Sequence, residues 1–190
     1  MLDNDVMIAG GVESMSMVPM GGNTPSMSPE IFMGDENIGI AYGMGLTAEA
    51  VASEYKVSRE DQDAFSYQSH LKAGNAIKEG YFKSGILPIE IEEVYLDAKG
   101  KKQKRNYTVD TDEGVRADTS LEGLAKLKPA FSLGGTVTAG NSSQTSDGAA
   151  FVIVMSERMI QELGLKPIAR LVNCASAGVH PRLMGIGPVE

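Results

Sequence analysis

A chain of 190 residues is long enough to form one domain with room for an inserted segment. Hydrophobic residues make up 42% and charged residues 22% of the sequence, which is typical of a globular protein in water. The formal net charge of -8 argues against broad binding to nucleic acid or to membrane surfaces. No apolar run approaches the roughly 20 residues of a membrane-spanning helix, so we expect neither a nucleic-acid partner nor a membrane span.

The first predicted element is a short strand. Val6–Ala9 is an apolar run, and the Gly10–Gly11 pair that follows predicts a buried strand that ends there in a tight turn. Residues 20–39 are rich in glycine, methionine, proline and asparagine, which is typical of an irregular covering loop.

Two helices are predicted next. Residues from Leu46 to Tyr55 have helical spacing, with Thr47 as the candidate N-cap. Ser58 is the candidate N-cap of a second helix, because acidic residues follow it and are favourable in the positive first turn. We expect this second helix to end at Gly80.

The following segment predicts a hairpin and a short helix. Isoleucine-rich residues 86–96 favour a strand, residues 99–105 form a basic turn, and Tyr107–Val109 is the returning strand. Leu121–Leu127 is then a short helix that ends before Pro129.

The last third of the chain predicts two strands around one helix. Ala149–Met155 is continuously apolar, which is typical of a strand covered on both faces. Ser156 is the candidate N-cap of a helix that runs to Gly164, and Ile168–Ala175 is a final strand.

Residues 135–150 are the most informative run of the sequence. They read Gly-Thr-Val-Thr-Ala-Gly-Asn-Ser-Ser-Gln-Thr-Ser-Asp-Gly-Ala-Ala and lead directly into the apolar run at Ala149. Glycine lets a large ligand approach the backbone, and the hydroxyls of Ser142, Ser143 and Thr145 are possible hydrogen-bond partners for a polar ligand. The same composition is also typical of an ordinary tight turn before a strand.

Four stretches of the chain resemble the thiolase family, and they occur in the same order as in that family. They are Met-Ile-Ala-Gly-Gly-Val-Glu-Ser-Met-Ser-Met at residues 7–17, residues 112–131 beginning Asp-Glu-Gly-Val-Arg, residues 135–150, and Gly-Val-His-Pro-Arg-Leu-Met-Gly-Ile-Gly-Pro at residues 178–188. The first begins at residue 7 and the last ends at residue 188, so together they span nearly the full length of the chain.

The resemblance implies an α/β architecture that is a partial thiolase fold in four segments. Residues 1–16 would end the N-terminal domain, and residues 17–146 would form an inserted loop domain that binds coenzyme A. Residues 147–166 would supply the last strand and helix of the N-terminal domain, and residues 167–190 would begin the C-terminal domain.

The resemblance also implies a coenzyme A site. Its six residues would be Met44, Arg116, Ala130, Phe131, Ala139 and Ser143. Arg116 would lie near the nucleotide end, since a guanidinium stacks on aromatic rings and binds phosphate with two hydrogen bonds. Phe131 would contact the pantetheine or the adenine, and Ser143 would bond a pantetheine amide. Without the resemblance, a surface salt bridge from Arg116 to Asp112 or Glu113 is equally expected.

The residues that thiolases use for catalysis have no match in this sequence. The family places its nucleophilic cysteine upstream of the Gly-Gly-Val-Glu-Ser stretch, and its histidine and second cysteine downstream, so we expect all of them outside this chain. Cys174 is expected to be a small buried apolar residue, His70 to be solvated, and His180 to have a structural role. One cysteine and two histidines in unrelated segments predict no metal site.

Other residues bear on the branch of the family and on ligand attraction. Gly43 and Gly123 stand where short-chain biosynthetic thiolases have histidine and often serine, so the chain looks more like a degradative 3-ketoacyl-CoA thiolase. Five basic residues in the predicted hairpin turn either attract coenzyme A phosphates or are simply solvated. They are Lys99, Lys101, Lys102, Lys104 and Arg105.

The resemblance implies an acyltransferase that cleaves 3-ketoacyl-CoA with coenzyme A, in fatty-acid β-oxidation. The substrates would be its ligands, with no tightly bound cofactor. The full-length protein that contains this chain, called the parent below, would be a homodimer or homotetramer. It would be cytoplasmic in a bacterium, or mitochondrial or peroxisomal in a eukaryote. The alternatives are an acetyl-CoA C-acetyltransferase, a non-catalytic acyl-CoA-binding or thiolase-associating module, and a sterol-carrier-type or condensing relative.

Overall fold

The computed structural model describes residues 4–190, which form two compact units. One unit is the segment ending at Val51 together with Ser143–Glu190, and the other is Ala52–Ser142. The strands are β1 (Val6–Ser14), β2 (Ile89–Leu96), β3 (Lys102–Val109) and β4 (Asp147–Met155). The α-helices are α1 (Met44–Tyr55), α2 (Arg59–Lys78), α3 (Leu121–Ala125) and α4 (Glu157–Glu162). Three 3₁₀ helices span Pro29–Phe32, Ile38–Ala41 and Pro181–Ile186.

Strands β1 and β4 form an antiparallel sheet in the first unit. The register runs from Val6 opposite Met155 to Ser14 opposite Asp147. The predicted turn at Gly10–Gly11 is wrong, because β1 continues through both glycines. Gly10 lies opposite Phe151, and a Cβ on Gly10 would stand 2.1 Å from the Cδ1 atom of that ring. The glycine therefore makes room for an aromatic ring across the strand rather than ending the strand.

The expected burial of these two strands is wrong. In β4 the Phe151 and Ile153 side chains are 68% and 65% exposed, and β1 is exposed along most of its length. Among residues 4–190, this sheet contains only β1 and β4. An apolar run indicates that a strand has two faces suited to burial, but it carries no information about which layers cover them.

Residues 168–175 do not form the predicted strand. They make no strand ladder with any described part of the chain, and Ile168, Leu171 and Val172 are exposed. Cys174 is exposed as well, so its expected burial is also wrong. Branched apolar residues favour an extended backbone, but a strand exists only where a neighbouring strand supplies hydrogen bonds.

The caps of α2 and α4 follow the prediction. The Ser58 hydroxyl accepts a hydrogen bond from the backbone N–H of Asp61 at 3.1 Å, and Ser156 accepts one from Met159 at 3.3 Å. Gly80 follows α2 with a φ of 74°, a conformation that glycine adopts without strain. Thr47, in contrast, is not an N-cap: α1 begins at Met44, and the buried Thr47 hydroxyl donates to the Gly43 carbonyl one turn back.

In the second unit β2 and β3 pair as an antiparallel hairpin, from Ile89 opposite Val109 to Leu96 opposite Lys102. The returning strand is longer than predicted and includes most of the expected basic turn. The Lys104 ammonium lies 2.8 Å from the Glu92 carboxylate across the ladder, which compensates one of these charges. The first half of β3 was not predicted as a strand because its residues are charged rather than apolar, and these charges pair across the hairpin.

Candidate functional site

Asn141 fixes the loop formed by residues 129–142 to helix α2. Its side-chain amide donates to the Asp63 carboxylate at 3.0 Å and to the Thr136 carbonyl at 3.1 Å. Its amide oxygen accepts from the backbone N–H of Thr138 at 2.7 Å. Three bonds from one side chain leave the loop little freedom, because each would have to break before the backbone moved.

Asp63 is itself held by a charge partner. It is only 5% exposed, and its carboxylate accepts from Arg59 Nε at 2.7 Å, one turn earlier on α2. The same guanidinium donates to the carbonyls of Leu124 and Leu127, at 2.6 and 3.0 Å. Leu124 lies in α3 and Leu127 just after its end, so the guanidinium binds the C-terminal end of this helix, where free carbonyl groups are concentrated. The Arg59–Asp63–Asn141 cluster therefore joins α2, α3 and the loop in one network.

Close packing adds to this network. A Cβ on Gly140 would come within 2.5 Å of methyl carbons of both Leu124 and Leu127, so the loop lies directly on α3. Thr138 is fully buried, and its carbonyl accepts from the Ser142 hydroxyl at 2.6 Å. Ser142, one of the expected ligand donors, therefore donates its hydroxyl hydrogen bond within the loop itself.

The loop brings together three of the expected coenzyme A residues. Pro129 pairs with Thr138 in an antiparallel bridge, and the backbone N–H of Ala130 donates to the Val137 carbonyl at 2.9 Å. Ala130, Phe131 and Ala139 flank this bridge and are exposed. Two small side chains and one aromatic ring are thus exposed on the same loop, close to the bridge that joins its two arms.

The backbone of Arg116 is also bonded to α2. Its backbone N–H donates to His70 Nδ1 at 3.2 Å, while its side chain is exposed. Among residues 4–190 no carboxylate lies within 4.0 Å of the Arg116 guanidinium, so the expected salt bridge to Asp112 or Glu113 is wrong. His70 is half-buried by this contact, so the expectation that it is solvated is wrong too.

One stripe of α2 carries both attachments. Asp63 and His70 are seven residues apart, which is two helical turns and about 10 Å along the axis. One end of the stripe holds Asn141 and the loop, and the other holds Arg116. The cluster of Arg59, Asp63 and Asn141 was not predicted from the sequence, where the spacing of four residues between Arg59 and Asp63 is the local signal of an ion pair.

Met44 and Ser143 belong to the first unit. Met44 is the first residue of α1 and is exposed. The Ser143 hydroxyl donates to the carbonyl of Gln144 at 3.2 Å and is also exposed.

Asp147 joins two of the four family-like stretches. Its carboxylate accepts from the Ser16 backbone N–H at 2.9 Å and from the Ser14 hydroxyl at 3.4 Å. The Ser16 hydroxyl, and then the Ser16 backbone, lower the pKa of the Asp147 carboxyl below its ordinary value because they bond its charged form. Asp147 thereby fastens the turn after β1 to the start of β4.

The basic hairpin cluster is partly compensated. Lys104 pairs with Glu92, and Arg105 pairs with Glu93 at 2.6 Å. The Arg105 guanidinium also lies over the rings of Tyr95 and Tyr107, at 5.7 and 5.2 Å from their centroids. Lys99, Lys101 and Lys102 are exposed and form no ion pair within residues 4–190.

The remaining candidates for chemistry have structural surroundings. His180 accepts from the backbone N–H of Arg182 at 3.3 Å and caps the last 3₁₀ helix, which confirms its predicted structural role. In the described range, 4–190, no group of three histidine, cysteine, aspartate or glutamate residues is placed to hold a metal ion. No helix in that range combines the length and apolar character needed to cross a membrane.

Comparison with known proteins identifies the family. The model of the thiolase N-terminal domain matches residues 2–158. The chain is similar to the 3-ketoacyl-CoA thiolase of Bacillus subtilis (strain 168), with 47% identity over 186 residues, 98% of this chain and 47% of that protein. It is also 43% identical over 198 residues to an acetyl-CoA acetyltransferase of Chromobacterium violaceum, 99% of this chain and 48% of that protein.

Solved structures agree with these relatives. The fold matches the peroxisomal thiolase of Saccharomyces cerevisiae, described as dimeric, with a TM-score of 0.79 and 36% identity over 97% of this chain and 44% of that one. The predicted α/β, thiolase-like fold is thus confirmed, and the chain spans about half the length of the curated relatives it matches. The order of the motifs, the match to the family model and the similarity of fold agree: this chain belongs to the thiolase family.

Proposed function

We propose that the parent of this chain is a 3-ketoacyl-CoA thiolase, an acyltransferase of fatty-acid β-oxidation. A cysteine thiolate would attack the 3-keto carbon of the substrate, and the bond between the second and third carbons would then break. The leaving group would be the enolate of acetyl-CoA, which takes up a proton from an acid outside this chain. The thiol of coenzyme A would then take the acyl group from the enzyme as a shortened acyl-CoA. This is covalent catalysis by an activated nucleophile.

Within this chain the proposed role is to bind coenzyme A through Met44, Arg116, Ala130, Phe131, Ala139 and Ser143. The observation that carries the proposal is the exposed guanidinium of Arg116, which forms no ion pair within residues 4–190 and whose backbone is bonded to the same helix, α2, that holds the loop. A guanidinium that pairs with no protein carboxylate can bind phosphate without first breaking an ion pair. The small side chains of Ala130 and Ala139 leave the loop surface open to a narrow, amide-bearing ligand, beside the half-exposed ring of Phe131.

We also propose that the groups that perform the reaction lie outside these 190 residues. Cys174 is exposed, and within residues 4–190 no cation or histidine is bonded to its thiol to favour a thiolate. The Nδ1 atoms of His70 and His180 both accept from backbone N–H groups, which suits structural roles. The isolated chain is therefore expected to show no thiolytic activity.

A second candidate is acetyl-CoA C-acetyltransferase activity, since one relative at 43% identity carries that name. Gly43 and Gly123 weigh against it, because the resemblance places a histidine and often a serine at these positions in short-chain biosynthetic thiolases. A homodimeric or homotetrameric parent is supported by the exposed apolar sheet β1–β4 and by the yeast relative described as dimeric. The bacterial and peroxisomal relatives support a cytoplasmic or organellar setting.

Calorimetric titration of the chain with coenzyme A tests the proposed role. We expect saturable binding that Arg116→Ala weakens about tenfold to a hundredfold, since a charge-assisted hydrogen bond contributes about 1.5–3 kcal/mol. Arg170→Ala is the matched control, because Arg170 is an exposed arginine that forms no ion pair within residues 4–190. Equal loss of affinity in both variants would point to general charge attraction and would refute the site.

A further inference from the structure

The contact between His70 and Arg116 defines a proton position. A backbone N–H can only donate a hydrogen bond, so His70 Nδ1, 3.2 Å from the Arg116 nitrogen, must be the acceptor. The neutral ring then carries its proton on Nε2. The imidazole is half-buried between α2 and the segment that contains Arg116.

A second contact lies one turn further along α2. A Cβ placed on Gly74 would meet Val115 Cγ1 at 3.7 Å, an ordinary packing distance. The segment of residues 115–116 therefore lies against α2 at two consecutive places: the Val115 side chain lies beside Gly74, and the Arg116 backbone N–H bonds His70. Together these contacts restrict the position of this short segment, and hence where the Arg116 side chain leaves the backbone.

We propose that His70 is a positioning residue for ligand binding: it fixes the Arg116 main chain so that the guanidinium is presented to the phosphate-bearing end of the ligand. The proposal rests on the proposed coenzyme A site and adds to it a residue outside the six expected ones. A guanidinium whose backbone is already ordered loses less conformational freedom on binding, and this preorganisation increases affinity. His70 itself touches no ligand in this account.

Two substitutions separate this role from a general effect on folding. His70→Asn retains an acceptor oxygen near the Nδ1 position, whereas His70→Phe retains a ring but has no acceptor. In calorimetry with coenzyme A, we expect His70→Phe to weaken binding about fivefold to tenfold and His70→Asn to stay within about twofold of the wild type. With pantetheine, which has no nucleotide, both variants are expected to bind like the wild type.

Hydrogen exchange of the Arg116 amide, followed by NMR in the free chain, tests the contact without any ligand. We expect slow exchange in the wild type and in His70→Asn, and faster exchange in His70→Phe. Unchanged exchange in His70→Phe, or an equal loss of coenzyme A and pantetheine binding, would overturn the positioning role.

The two proposals fail in different ways. If Arg116→Ala binds coenzyme A like the wild type, or if the wild type binds none, the coenzyme A site is refuted, and the positioning role is refuted with it. If Arg116→Ala weakens binding but His70→Phe does not, the site stands and only the role of His70 is refuted.

Discussion

The two compact units of this chain differ in the kind of side chain that they bury and expose. In Ala52–Ser142, polar side chains are buried and satisfied: Asp63 is almost completely covered and bonds both Arg59 and Asn141. In the other unit, the β1–β4 sheet exposes apolar side chains such as Ile8 and Ile153. The first arrangement stabilises itself through its own hydrogen bonds, whereas the second leaves apolar surface that is favourable to cover. The loop of residues 129–142 is therefore stabilised by contacts within its own unit, whereas the β1–β4 sheet would be stabilised by additional surface that covers it.

The largest expected effect tests the self-sufficiency of the loop unit. Asp63→Ala removes the partner of both Arg59 and Asn141, which leaves a mostly buried guanidinium without its carboxylate. We expect the free energy of unfolding to fall by about 3 kcal/mol, as for other broken buried ion pairs. Urea denaturation followed by circular dichroism measures it. Asp118→Ala, an exposed acid in the same unit, is the control and should change stability by less than about 0.5 kcal/mol.

A somewhat smaller loss is expected from Gly140→Ala. The added methyl group would come within 2.5 Å of Leu124 and Leu127, so the loop would have to move off α3, at a cost of about 2 kcal/mol. Gly74→Ala is the opposite case, since its Cβ meets Val115 only at 3.7 Å in the middle of α2. We expect that variant to gain about 0.5–1 kcal/mol from helix propensity. Equal stability of the two variants would contradict the packing described for the loop.

The exposed sheet predicts association of the isolated chain. Ile153→Lys places a charge on the apolar face of β4 opposite Ile8, where any covering surface would have to desolvate it. We expect the variant to shift toward monomer in sedimentation velocity, with an unchanged circular dichroism spectrum. Lys101→Glu, on the exposed hairpin turn, is the control and should leave the distribution unchanged. A wild type that stays monomeric at high concentration would remove the contrast between the two units.

The smallest effect concerns pH. The Ser16 hydrogen bonds lower the folded-state pKa of Asp147, so its contribution to stability is present above its unfolded pKa and is lost as pH falls through the folded pKa. We expect Asp147→Asn to have a lower unfolding midpoint than the wild type at pH 7, and the difference to shrink in strongly acidic buffer. A difference that stays constant from neutral to acidic pH would show that these hydrogen bonds do not depend on the carboxylate charge.

Local signals in the sequence predicted the local parts of the structure. The caps Ser58 and Ser156 were predictable because a cap bonds residues two or three positions away. Thr47 was misassigned because the same hydroxyl can bond backward to the preceding turn. The continuation of β1 through Gly10 depended on Phe151, a residue far away in the sequence, and no local pattern reveals such a pairing.

The candidate site likewise has parts that the local sequence predicts and contacts that it does not. Arg116 and the 135–150 run were found from motifs, because they are contiguous in sequence. The contacts that hold them were not found: Asn141 and Asp63 are 78 residues apart, and Arg116 and His70 are 46 apart. A histidine or aspartate on a helix looks solvated until the tertiary fold places a partner against it. Long-range partners of this kind are decided by packing, which no single segment encodes.

Amide chemical-shift mapping of the ¹⁵N-labelled chain tests most directly where coenzyme A binds. We predict that saturating coenzyme A shifts the amides of Arg116, Ala130, Phe131 and Ala139 most strongly, with smaller changes in the sheet β1–β4. Shifts confined to the basic residues of the β2–β3 hairpin, or none that saturate, would contradict the claim that the loop on α2 is the ligand site.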